Sequence, residues 1–329
     1  MSELVSVFGY GPVGAATVER LLARGQSVRV VQRSRPKALP ASAEFMACDV
    51  LNAEDVLRAM TGATHAVITT GFEYSGKIWK QAWPKAMENF IAAAEASGAR
   101  VVFIDNLYMY GPQRRALRED MPLTAFGVKP AVRALVTRTW MQASAAGRIK
   151  WTALRAPDFY GPGVGRSHIG DVGLGMIARG KAATLAISPD RPHAFAYVPD
   201  IARATLSLID APDDAYGQAW HVPCAPMRTP REILKLGADA LGQKLRIVSI
   251  PSGLLPLVGL FSPFMREVAE MRFTWDRPYE VDCSKFAARF WSDATTFESG
   301  VRAAALSFRA ATQARGRVAG QATSAATSI

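Results

Sequence analysis

The chain opens with a strand–loop–helix–strand unit that sets the terms for everything after it. Leu4 to Phe8 ("LVSVF") is a short apolar run, and Gly9, Gly11 and Gly14 follow it at once in the spacing Gly-x-Gly-x-x-Gly. Pro12 to Arg24 then places Val18, Leu21 and Leu22 on one helical face, Gly25 suits the position after a helix end, and Val28 to Val31 forms a second β-type run. Two parallel strands joined by one helix need a right-handed crossover and further strands to bury both faces. A single glycine pattern is weak evidence, but inside this unit it has a steric and electrostatic meaning.

Gly9 permits the tight turn, Gly11 lets an anion approach the backbone, and Gly14 allows the helix to pack close to the strand. The helix start offers oriented N–H groups, so Gly9, Tyr10, Gly11, Pro12, Val13 and Gly14 are expected to cradle the pyrophosphate of a dinucleotide. Selectivity between dinucleotides falls to the end of the second strand, where an acid would accept from a ribose 2′-hydroxyl. That position is Gln32, followed by Arg33, Ser34 and Arg35. Two guanidiniums and a hydroxyl suit a 2′-phosphate, so the expected cofactor is NADP(H) over NAD(H).

The alternation continues. "AEFMACDV" predicts a strand ending at Asp49-Val50, Asn52 is an N-cap for the next helix, and His65 to Thr70 is a strand followed by Gly71. A long helix and a strand through Asp105 come next. The fold class is therefore α/β, a Rossmann-type doubly wound parallel sheet with a smaller C-terminal substrate-binding lobe. Ligands of such sheets lie beyond the carboxyl ends of the strands, so Asp49, Thr70, Gly71 and Asn106 should rim the site.

Composition narrows the function class. The 329 residues carry a net charge of +11, yet the basic residues are dispersed and form no stripe interleaved with aromatics, which argues against nucleic acid. No apolar segment is long enough to span a membrane, and "GLLPLVGLFSPF" (253–264) reads as a buried or pocket-lining segment broken by Pro256 and Pro263. The chain starts its first strand without a leader, and Cys48, Cys224 and Cys283 are far apart and odd in number, which suits free thiols in the cytoplasm. The four histidines sit at no metal-ligand spacing, so no metal is expected. The stretch after 308 lacks aromatics and reads as disordered.

Five segments in order resemble the short-chain dehydrogenase/reductase superfamily, in the extended or atypical branch of NAD(P)-dependent epimerases and dehydratases. They are Asp49-Val50, "DNLYMYGP", "LRAPDFYGPGVG", "HAFAYVPDIARATLSL" and "TWDRPYEVDCSKFAARF". The resemblance implies that Asp49 and Val50 contact adenine, that Pro157 packs near the nicotinamide carboxamide, and that Asp158 faces the substrate. Active members carry a Ser or Thr past the fifth strand and a Tyr-x-x-x-Lys at the next helix, because a nearby ammonium lowers the phenol pKa for proton transfer. Here the Ser/Thr position is Asn106, the tyrosine is Phe126, and Lys129 stands three residues on. Lys129 is expected at a helix start near the cofactor ribose, with Val132, Leu135, Val136, Trp140 and Ala143 as the buried face. Substitute proton donors are Tyr108 and Tyr160. Asp200 reads as a helix cap, and "FEYSGKIWKQAW" as helix packing or an aromatic lid with Tyr74 toward the substrate.

The expected organisation is a cofactor lobe over 1–160 with returning segments near 191–223, a cap from 161–190 and 224–308, and the tail beyond. The chain is read as a monomer or homodimer acting on a small molecule. Two functions stay open: an NADP(H)-linked reductase, epimerase or dehydratase on a carbonyl or sugar-like substrate, and a binding protein that senses NADP(H) without turnover.

Overall fold

The computed structural model describes residues 3–249 and 262–326. Its frame is a seven-stranded, wholly parallel sheet formed by β1 (Leu4–Phe8), β2 (Ser27–Gln32), β3 (Glu44–Ala47), β4 (His65–Ile68), β5 (Arg100–Asp105), β6 (Trp151–Arg155) and β10 (Ala219–His221). The order is β3-β2-β1-β4-β5-β6-β10, so the chain reverses direction across the sheet between β1 and β4. β1 pairs in parallel with both β2 and β4. Strands such as "HAVI" are buried throughout because helices cover both faces, which is why they read as apolar runs instead of alternating.

Helices α1 (Pro12–Ala23) and α6 (Val198–Ile209) share one face, where Val18, Leu21, Ile201 and Leu208 join the strand side chains Val7 and Val30. Helices α2 (Ala53–Met60), α3 (Gly76–Ser97) and α4 (Lys129–Ala145) cover the other, with Val56, Trp83, Phe90, Val136 and Trp140 against Phe8 and Phe103. Asn52 caps α2 by accepting from the Asp55 N–H, as expected.

A second core lies outside the sheet. It is built from α5 (Gly175–Ala178), α7 (Pro230–Leu241) and α10 (Phe297–Ala326), with the parallel pairs β7 (Asp158–Tyr160) with β9 (Phe195–Tyr197) and β8 (Ala183–Leu185) with β11 (Ile247–Ser249). Two short helices lie against the sheet lobe: α8 (Pro263–Glu270) at the starts of α3 and α4, and α9 (Ser284–Arg289), whose Phe286 joins the core beside β10. Among the described residues no helix is long and apolar enough to cross a membrane.

Several expectations need correction. Leu135 is 45% exposed, because α4 turns that position away from the sheet while Val132, Val136, Trp140 and Ala143 stay buried. Asp200 does not cap α6; it is the third helical residue and accepts from the Thr295 backbone and hydroxyl at 2.8 and 3.0 Å. The stretch after 308 continues α10 to Ala326 instead of standing without structure, as its alanines favour helix. β3 ends at Ala47, so Asp49 and Val50 belong to the following loop. Of the apolar segment 253–264, residues 253–261 lie outside the described residues.

Candidate active site

The glycine loop has the geometry its spacing implies. Gly9 takes φ +99°, a conformation that side chains disfavour, and a Cβ on Gly14 would come 2.1 Å from the Gly9 carbonyl oxygen. At Gly11 an added Cβ would meet nothing within 4 Å. Gly11 is also the N-cap of α1 and supplies no side-chain cap, so the first N–H groups of the helix face open space. The residues present therefore fit a dinucleotide pyrophosphate.

At the end of β2, Gln32 replaces the usual acid and is engaged by its own loop. Its side-chain oxygen accepts from the Tyr10 N–H at 3.1 Å, and its amide donates to the Ser34 carbonyl at 2.7 Å. Arg33, Ser34 and Arg35 are exposed, and the Arg35 guanidinium stands 5.7 Å from the Phe45 ring. Asp49 is exposed and accepts from the Leu51 N–H, while the buried Val50 offers its carbonyl to the Asn89 amide. Beyond β4, Thr70 donates to the Phe8 carbonyl at 3.2 Å, and Gly71 is exposed.

A compact polar cluster lies beyond β5 and β6. Asn106 accepts from the Tyr108 N–H through its side-chain oxygen at 3.0 Å, which leaves its amide NH₂ to donate. Tyr108 stacks on Trp79 with ring centroids 6.2 Å apart, and its hydroxyl lies near that of Tyr74. Burial raises both phenols above their ordinary range, and Asp158 adds to the rise. Pro157 is buried at the turn from β6 to β7.

Asp158 is paired with a residue that sequence reasoning did not single out. Its Oδ2 lies 2.9 Å from Nε2 of His193, whose Nδ1 lies 3.2 Å from the Thr274 carbonyl. The His193 ring is 1% exposed and sandwiched between Trp275 at 3.5 Å and Tyr279 at 4.9 Å, whereas the Asp158 side chain keeps 24% of its surface open. Burial alone would raise the Asp158 carboxyl, but the hydrogen bond from His193 and the proximity of His168 hold it below its usual range. Burial lowers His193 as well, against the pull of Asp158. The consistent assignment is an ionised Asp158 accepting from a neutral His193, whose Nδ1, once protonated in acid, donates to the Thr274 carbonyl. His168, whose role the sequence left undecided, packs 4.4 Å from the Trp275 ring and close to Asp158. No spacing announces this group, because parallel pairing of β7 with β9 is what brings Asp158 and His193 together.

Two expected catalytic residues sit elsewhere. Lys129 begins α4 as predicted, but its side chain is fully buried, with its ammonium 2.5 Å from both Glu267 and Glu270 of α8 and 4.8 Å over the Tyr74 ring. Glu267 also accepts from Gly76 N–H, and Glu270 from Val128 and Lys129 N–H, so α8 caps the starts of α3 and α4 together. Tyr160 is withdrawn into the second core, between Tyr197, Phe297 and the Gly300 backbone. Trp79 and Trp83 are buried in the sheet-side core, so packing accounts for both, while Tyr74 is the member of that segment that reaches the cluster.

Behind the cluster, Asp105 accepts from the buried Arg133, whose guanidinium stacks 4.1 Å from Trp83. Arg155 donates to the Tyr110 hydroxyl, which donates to His221 Nε2 at 3.0 Å, and His221 Nδ1–H donates to the Asp282 carbonyl at 3.0 Å. Burial and the nearby Arg155 push His221 down to about 3, so it is neutral. Among the described residues no three His, Cys, Asp or Glu side chains are gathered as for a metal ion.

Comparison with known proteins agrees with this frame. No curated protein sequence matches the chain. Among solved structures, the UDP-glucose 4-epimerase of Thermus thermophilus, a complex with NAD, superposes with a TM-score of 0.72 at 21% identity, over 93% of this chain and 99% of that one. UDP-glucuronic acid 4-epimerase from Bacillus cereus, also with NAD, gives 0.75 at 13% identity over 93% and 98%. UDP-glucose 4-epimerase of Thermotoga maritima, with UDP-glucose, gives 0.74 at 17% over 94% and 99%. At these identities the likeness speaks for the fold. A sequence model of the NAD dependent epimerase/dehydratase family matches residues 6–222, the span that holds the glycine loop, all but the start of the parallel sheet, and Asp158, and on that match the chain belongs to this family.

Proposed function

We propose that the protein is an NADP(H)-dependent oxidoreductase or epimerase/dehydratase-like enzyme for a carbonyl or sugar-like small molecule, working without the usual tyrosine. The observation that carries this is the convergence of Asn106, Tyr74, Tyr108, Asp158 and the His193 pair at the carboxyl end of the sheet, the end that also presents the glycine loop. Gly9 to Gly14 would hold the pyrophosphate, Arg33 with Ser34 and Arg35 the 2′-phosphate, Asp49 and Val50 the adenine side, and Thr70, Gly71 and Pro157 the nicotinamide side. When bound, that cofactor supplies or accepts a hydride at its nicotinamide.

The chain's own groups do the rest. The Asn106 amide donates to the reacting oxygen, Tyr108 orients it, and Asp158 takes up the substrate proton. His193 does not touch substrate; it keeps Asp158 ionised by donating to it. Asp158 suits this role better than either phenol, since burial raises both tyrosines and the Lys129 charge is spent on two carboxylates. The relatives named with UDP-sugars make sugar nucleotides one class to try beside simple carbonyls.

A sensor that binds NADP(H) without turnover is the second reading, and the sealed Lys129 favours it. The test is fluorescence titration of the purified chain with NADPH and NADH, then a screen of aldehydes, ketones and UDP-sugars for NADPH oxidation or epimer formation. NADPH binding tighter than NADH with turnover is the expected result. Tight NADPH binding with no turnover over the panel gives the sensor reading, and tighter NADH binding removes the role of Arg33.

A further inference from the structure

Two of the three cysteines, distant in sequence, meet in the fold. Cys224 lies in the loop after β10, and Cys283 immediately precedes α9. Both thiols donate to one carbonyl, that of Val222, at 3.2 and 3.1 Å. The two sulfurs thus share one acceptor, with the Cys224 thiol and backbone N–H close to the Cys283 sulfur. Both residues are half-buried, whereas Cys48 is buried next to Val50 and Val56.

This arrangement distinguishes the two sulfurs. The neighbouring Cys224 thiol and backbone N–H hold the Cys283 thiol below its usual value, while the same contact, with burial, raises Cys224. A nucleophilic thiol with an adjacent resolving thiol and solvent access is the pattern of a reversible redox pair. We infer that Cys224 and Cys283 form a dithiol site that a peroxide or a small disulfide such as oxidised glutathione converts to an intramolecular disulfide.

With a peroxide, the Cys283 thiolate attacks one oxygen, the O–O bond breaks, and the sulfur becomes a sulfenic acid as the other oxygen leaves as water. The Cys224 sulfur then attacks Cys283, the S–O bond breaks, and hydroxide departs with the Cys224 proton as a second water. Two sulfurs are oxidised and one peroxide is reduced. With oxidised glutathione the intermediate is a mixed disulfide, and two glutathione thiols leave. The new bond would close the chain from 224 to 283, which carries α7, α8 and Trp275, onto the end of β10. It would also restrict the unfolded chain and raise the melting temperature.

The test uses the full-length protein, reduced and then treated with oxidised glutathione. Free thiols should fall from three to one, peptide mapping should join Cys224 to Cys283 with Cys48 still reduced, and Tm should rise and return after dithiothreitol. Cys224→Ser should instead retain a stable glutathione adduct on Cys283. Retention of all three thiols, a bond to Cys48 or to a second chain, or a lasting adduct on Cys283 of the unsubstituted protein would each overturn the inference. Cys283→Ser should take up no adduct; an adduct on Cys224 of this variant would reverse the order of attack and also count against it.

Discussion

At the scale of single residues, the proposed function rests on the end of β2 and the start of β7. Gln32 stands where an NAD-selective site would carry an acid, and its side chain bonds to Tyr10 and Ser34. With Arg33 exposed beside it, Arg33→Ala should weaken NADPH binding by about tenfold or more, the loss of a charge-assisted contact, and leave NADH binding unchanged. Fluorescence titration checks both arms. For Asp158 the sign follows from its partner. Its carboxyl is held down by the His193 donor, so activity should fall only on the acid side, as the pair takes up protons below the ordinary histidine range. His193→Phe keeps an aromatic ring between Trp275 and Tyr279 but removes the donor. Burial is then opposed only by the nearby His168, and the acid limb of the kcat/KM profile should move to higher pH, with NADPH affinity unaltered. The sequence named Asp158 as a position expected to face the substrate; it could not name His193, whose significance comes from a partner thirty-five positions away.

At the scale of elements, the first βαβ unit was almost wholly legible, because local sterics dictate it. β1, α1 and Asn52 as the cap of α2 lie where the pattern puts them. Gly14 is the clearest case. A Cβ there would overlap the Gly9 carbonyl, so Gly14→Ala should cost about 1–3 kcal/mol of stability, seen as a lower urea midpoint, and should abolish dinucleotide binding as α1 is pushed from the loop. What the pattern could not say was where Lys129 would point. Its place at the start of α4 is local, but its burial depends on α8, which brings Glu267 and Glu270 from far along the chain to two helix starts at once. Similarly, Leu135 follows the apolar period yet faces outward, because α3 covers only part of α4.

At the scale of the whole molecule, buried neutral histidines couple stability to pH. His221 falls from an ordinary 6.5 to about 3 in the folded chain, while the unfolded chain keeps the ordinary value. Between those limits the unfolded state binds the extra proton, so stability is present above pH 6.5 and is lost as pH falls toward 3. The slope from one such group is at most about 1.4 kcal/mol per pH unit. Urea midpoints measured from pH 7 to 4 should decline, and His221→Asn should flatten the decline.

The sequence by itself determined the parallel α/β frame, the glycine loop, the basic end of β2 and the absence of a Tyr-x-x-x-Lys, because these rest on residue spacing and backbone sterics within short stretches. Only the tertiary structure decided which polar groups share a site. Pairing of β7 with β9 joined Asp158 to His193, docking of α8 closed over Lys129, and packing on Tyr197 and Phe297 drew Tyr160 into the second core. Such contacts depend on how distant segments pack, and burial then sets their charge state; neither is written in any one stretch of the chain.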